Sequence, residues 1–80
     1  MNDIITSSER RELPDSVFGL PSRREYPMPD ARHVRAAEAY FRNCPEELKP
    51  QLARAILQKA SEFGVDVKSQ SIRRYALSPE

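Results

Sequence analysis

Two stretches of the chain carry apolar residues at helical spacing, and proline-rich sequence precedes and separates them. Over 31–42, at about 100° per residue, Val34, Phe41, Ala37, His33, Tyr40 and Ala36 gather into one arc of roughly 160°. Ala31, Arg32, Arg35, Glu38 and Arg42 occupy the other side. Asp30 follows Pro29 directly and suits an N-cap, so a helix is predicted from Ala31 to Arg42. In the second stretch Leu52, Ala53, Ile56, Leu57, Ala60 and Phe63 share a face, with Leu48 at its edge. Lys59 points into that arc and must snorkel. This helix is predicted to end at Gly64, with Val65 in the apolar position of a Schellman cap. Its start has two solutions. Pro45 suits a first helical position with Glu46 and Glu47 in the first turn. Pro50 deep inside a helix would cost about 3 kcal/mol, so a short turn over 45–48 and a fresh start at Pro50 is favoured.

Residues 1–30 read as an arm. Pro14, Pro21, Pro27 and Pro29 each remove a backbone donor and push the preceding residue toward extended geometry. Only a short helical turn at Ser8–Leu13 is expected there. The arm still carries Leu13, Val17, Phe18, Leu20, Tyr26 and Met28, more anchors than a disordered tail has, so it should lie extended along the helices. In the tail, Val65–Val67 is a candidate extended segment to pair with Arg24–Met28. Ser69 or Ser71 offers a cap for a short third helix carrying Ile72, Tyr75 and Ala76. Two helices alone bury too little, so Phe18, Tyr26 and Tyr75, or else a second copy or a partner, must cover the open edge. The expected fold is all-α: a small helical hairpin of two main helices, room for a short third, and an extended, partly ordered N-terminal arm. Segment 1–12 is expected to be flexible, 13–67 to form the helical module with the arm packed on it, and 68–80 to form the tail.

Eighty residues allow one domain. A net charge of +1 argues against a chain that binds nucleic acid or a membrane surface over its whole extent. One cysteine cannot form an internal disulfide, which fits a reducing compartment. The opening residues have no apolar core of a signal peptide, and no apolar run approaches the roughly 20 residues needed to span a bilayer. The expected setting is cytoplasmic.

Leu-Pro-Asp-Ser-Val-Phe-Gly-Leu-Pro at 13–21 and Arg-Glu-Tyr-Pro at 24–27 are followed by Asp30, His33-Val34, Ala37 and Phe41. This series resembles a short module of bacteriophage and prophage proteins, found in small uncharacterised chains and beside or within prohead-protease and capsid-type proteins. The resemblance covers about two thirds of the chain. It implies a genomic setting, host cytoplasm or virion, and attaches no reaction to any residue.

Candidate chemistry is sparse. His33 is the lone histidine, and metal binding or acid–base work would need a partner in fixed geometry; local bonding to Asp30 or an arm carbonyl is the expectation. Cys44 has no base near it in sequence and is expected to pack or cap. Ser16, His33 and Asp30 can be written as a triad but lack a nucleophile elbow. No enzyme, cofactor or metal is expected. Arg23, Arg24, Arg32, Arg35 and Arg42 are candidate phosphate contacts, with Arg73-Arg74 a second basic pair; the near-zero net charge favours a solvated, balanced face. Phe18, Leu20, Tyr26, His33 and Tyr40 are candidate partner-binding residues. The arm carrying Phe18 and Leu20 has two readings, packing within its own chain, the simpler, or docking on a partner. The reading that follows is a small non-catalytic protein-interaction module, with homo-oligomerisation open. The alternative is a nucleic-acid-binding accessory protein using the arginines.

Overall fold

The computed structural model describes residues 11–78. The expected turn at Ser8–Leu13 and the flexible segment 1–12 fall mostly outside them. Among the described residues the protein is a mostly helical small domain of three α-helices with one two-stranded sheet.

A 3-10 turn at Asp15–Val17 leads into β1, Phe18–Leu20. A second such turn, Pro21–Arg23, returns the chain into β2, Glu25–Pro27. The strands are antiparallel, with Phe18 opposite Pro27 and Leu20 opposite Glu25. The Met28 N–H extends the ladder by donating to the Val17 carbonyl at 2.9 Å. The arm is therefore a hairpin rather than a single extended strap. The expected pairing of Arg24–Met28 with Val65–Val67 does not form. Closing a short local loop costs less chain entropy than joining segments about forty residues apart. Proline at 21 suits the turn, since its φ is already set. The left-handed position is taken by Arg24, φ 50° and ψ 48°.

Helix α1 spans Ala31–Tyr40 and begins where expected: Asp30 is the N-cap, and its Oδ1 accepts the His33 N–H at 2.9 Å. A 3-10 turn at Phe41–Asn43 ends it. Val34, Ala37 and Phe41 are buried, but Tyr40 is 61% exposed. The buried stripe is centred on Val34 and Phe41, narrower than the arc read from the sequence, and Tyr40 falls outside it.

After a 3-10 turn at Glu46–Leu48, helix α2 spans Lys49–Phe63 with Pro50 in its first turn, where no intrahelical donor is lost. Leu52, Ala53, Ile56 and Ala60 form its buried face. Gly64, at φ 69°, stops the helix, and the Val65 N–H donates to the Ala60 carbonyl at 2.8 Å, the Schellman bond. Phe63, expected in the core, is exposed. The buried face of α2 ends at Ala60, one turn before Phe63 at the helix end. Lys59 snorkels as expected and pairs with Glu62 at 3.6 Å.

Helix α3, Gln70–Ala76, is capped by Ser69, whose Oγ accepts the Ile72 N–H at 3.2 Å. It returns along α2: Arg54 donates to the carbonyls of Ala76 at 3.4 Å and Ser78 at 3.3 Å. Leu20 and Met28 from the hairpin, the buried faces of all three helices, Cys44 and Val67 make one apolar cluster. Tyr26 and Tyr75 pack on its rim, as the need for a third layer required.

Candidate interaction surface

The five residues expected to meet a partner separate into two groups. Phe18 and Leu20 are 2% and 1% exposed, so the arm packs within its own chain, the first of the two readings. The Arg24 guanidinium lies 4.5 Å from the centroid of the Phe18 ring. The other three lie along one flank of α1. His33 and Tyr40 are seven residues apart, two helical turns, and so share a face. The Tyr26 hydroxyl reaches across from β2 and donates to the Tyr40 carbonyl at 3.4 Å. Burial pushes the Tyr26 phenol up from its ordinary value, helped by Cys44 and Glu25 and opposed by Arg23.

His33 does what the sequence suggested: its Nδ1 lies 2.7 Å from Asp30 Oδ1. Partial burial raises the Asp30 carboxyl, but hydrogen bonds from the His33 ring and backbone outweigh it and hold the group below its ordinary value. The imidazole is thus tied into the helix cap. Cys44 is buried and free. Burial pushes its thiol up, Lys49 and Arg23 oppose that rise, and Glu25 and Glu47 reinforce it. A buried thiol so held is a poor nucleophile.

The arginines do not form a bare cationic patch. Arg23 pairs with Glu25 at 3.2 Å. Arg24 pairs with Asp15 and donates to the Leu13 carbonyl at 3.0 Å. Arg32 lies close enough to Asp30 to help depress its carboxyl. Arg35 lines a groove of about 520 Å³ with Glu38 and Asp66. Burial raises the Glu38 carboxyl there, Arg35 opposes and Asp66 adds to the rise. Arg42 is exposed on the turn after α1.

Sequence reading missed a corner where three distant segments meet. Lys49 Nζ lies 5.7 Å from the Phe41 ring centroid, 5.5 Å from that of Tyr75, and 3.3 Å from Glu46. The two rings meet edge to face at 5.6 Å, and the Tyr75 hydroxyl donates to Glu46. That hydrogen bond lowers the Glu46 carboxyl and raises the Tyr75 phenol. The spacing of Glu46 and Lys49 was a visible signal; the meeting with Tyr75 was not. A second groove of about 520 Å³ runs between the hairpin and α2, lined by Phe18, Gly19, Pro21, Gln51, Arg54 and Gln58, among others. Among the described residues no cluster of His, Cys, Asp and Glu is arranged to hold a metal, and no helix is long and apolar enough to cross a membrane.

Comparison with protein-family models, curated proteins and solved structures found no match.

Proposed function

We propose that this chain is a small non-catalytic interaction module of phage or prophage type, acting in the host cytoplasm or on the virion. It binds a protein through the flank of α1 that carries His33 and Tyr40, bordered by Tyr26. The observation that carries the reading is Tyr40: a tyrosine left 61% exposed at the end of a helix that Asp30 caps at its start and that the Tyr26 hydroxyl meets at its last carbonyl. Tyrosine offers a large contact area at low conformational cost, which makes it a frequent anchor in protein interfaces. Such an anchor works best on a rigid element. The test is affinity capture by the tagged chain in cells that carry its gene, run beside Tyr40→Ala and an Arg42→Ala control. Retention of a defined partner by wild type and Arg42→Ala, and its loss with Tyr40→Ala, is expected. Equal capture by all three would refute this surface.

The arginine-based alternative has less support, because Arg23, Arg24, Arg32 and Arg35 each lie beside a carboxylate that an incoming phosphate would have to displace. Binding to DNA or RNA that falls steeply with salt would revive it.

A further inference from the structure

We propose that a cavity of about 280 Å³ on α3 binds a small phosphate dianion, either free or as the terminal group of a small phosphomonoester. Ser71, Arg74, Tyr75 and Ser78 line it, along one face of the helix and of the turn that closes it. Arg74 stands between the two serines, three residues after Ser71 and four before Ser78, the spacing at which side chains on a helix meet.

The adjacent arginines of this helix do different things. Arg73 commits its guanidinium to the Val67 carbonyl, at 3.1 Å from Nε and 2.6 Å from Nη2. Arg74 is exposed, and among the described residues its guanidinium meets no carboxylate, carbonyl or ring. Arg23, Arg24, Lys49 and Lys59, by contrast, each face a carboxylate. The two larger grooves carry Glu62, or Glu38 with Asp66, in their walls, whereas no carboxylate lines this cavity. Glu46, which the Tyr75 hydroxyl meets, is balanced by Lys49 at 3.3 Å. The donors suit a phosphate. A guanidinium presents a planar fork of N–H groups that matches two phosphate oxygens. The Ser71 hydroxyl adds a donor on one side of Arg74. The Ser78 hydroxyl, whose bond to the Arg74 carbonyl is long at 3.3 Å, adds one on the other. A phosphate has three terminal oxygens to share among the three side chains; a carboxylate has two. Tyr75 gives the cavity a fixed wall, its ring edge to face with Phe41 and its hydroxyl on Glu46. The volume falls just below the roughly 300–1,000 Å³ of drug-sized sites, so the ligand is small.

Titration of the full, nitrogen-15-labelled chain with sodium phosphate, at about pH 7.5 where the ion is largely dianionic and at constant ionic strength, tests this by amide NMR. Saturable shifts are expected at Ser71, Arg74, Tyr75 and Ser78. Arg74→Ala should weaken binding by at least about tenfold and Ser71→Ala by about threefold, the worth of a charged and a neutral hydrogen bond. Arg42→Ala, which removes an exposed arginine on the turn after α1, should leave the affinity unchanged. All three variants alter exposed side chains, and their spectra report the fold directly. O-phosphoserine in the same titration separates the two sources: tighter binding than inorganic phosphate assigns the site to phosphomonoesters, and equal or weaker binding assigns it to the free ion. Shifts still linear at about 20 mM would overturn the site. So would shifts that Arg42→Ala weakens as much as Arg74→Ala does, or that Ser71→Ala leaves unchanged, since a lone surface guanidinium would then be collecting anions.

Discussion

Gly19 sits against α2 with no room for a side chain, and this gives a quantitative test of the packing. An added Cβ would meet Leu52 Cδ1 at 2.6 Å, Met28 Cε at 3.0 Å and Tyr26 Cβ at 3.3 Å. Carbon atoms in good contact stand roughly 3.5–4.0 Å apart, so the first overlap is about an ångström deep. Leu52 and Met28 are fully buried, and Leu52 has no solvent to move into. Gly19→Ala should therefore destabilise by about 1–3 kcal/mol, the usual cost of overpacking. Leu52→Ala should cost about 2–5 kcal/mol by leaving a cavity. Combining them changes the arithmetic. Leu52→Ala deletes the atom that clashes, and the new methyl at 19 fills part of the space it leaves.

The double variant should thus be more stable than the sum of the singles by about 1–2 kcal/mol, beyond the roughly 0.3–0.5 kcal/mol within which independent sites add. The residual contacts with Met28 and Tyr26 keep the relief from being complete. Urea unfolding of the four proteins measures this, with the slope checked to be common to all. In thermal melts each kcal/mol corresponds to about 4–8 °C for a domain of this size. Additive effects, or a Gly19→Ala variant as stable as wild type, would show that the hairpin is not seated against Leu52 in solution.

Asp30→Ala removes the α1 cap and should cost about 1 kcal/mol at neutral pH. The folded Asp30 carboxyl lies below its ordinary value, so the stabilisation is whole above the unfolded value and fades as pH falls through the folded one; the gap between wild type and variant in melts should narrow below about pH 4, and a gap that widens in acid would refute the assignment. Cys44 is buried with its thiol raised, so a thiol reagent at about pH 8 should label the native chain far more slowly than the urea-unfolded chain. Equal rates would place Cys44 outside the core.

The helix boundaries were legible because each is written in local chemistry. Asp30 after proline, Gly64 after the last apolar turn and Ser69 before Ile72 each satisfy orphan backbone groups at one helix end. The hairpin was illegible for an equally local reason. Phe18–Leu20 and Glu25–Pro27 are three residues each, too short to show alternation. Their turn lacks the glycine or asparagine that usually marks a left-handed residue. Arg24 takes that position and is held there by Asp15, the Leu13 carbonyl and the Phe18 ring, none of which a local pattern reveals. Phe63 was placed in the core, and Tyr40 within the apolar arc of α1, because angular position says which way a residue points, not whether anything lies opposite. Of the candidate surface residues named from the sequence, Tyr26 and Tyr40 are brought together by β2 crossing to the end of α1, which no local pattern reveals.

The arginines connect fold and function. Short elements leave many backbone carbonyls without an intrahelical or ladder partner, and a domain this small has little core to offset that cost. Arg24 donates to Leu13, Arg54 to Ala76 and Ser78, and Arg73 to Val67 at 3.1 Å from Nε and 2.6 Å from Nη2. Each ties down a carbonyl at a segment end through the several donors of a guanidinium, which a lysine ammonium does not match in reach and planarity. These residues are basic for internal reasons, and the sequence pattern of paired arginines loses much of its weight as a sign of phosphate binding. What the fold leaves unspent is different in kind. On α1 it is the ring of Tyr40, uncharged and facing outward from a capped and braced helix, a better match to a protein surface than to a phosphate backbone.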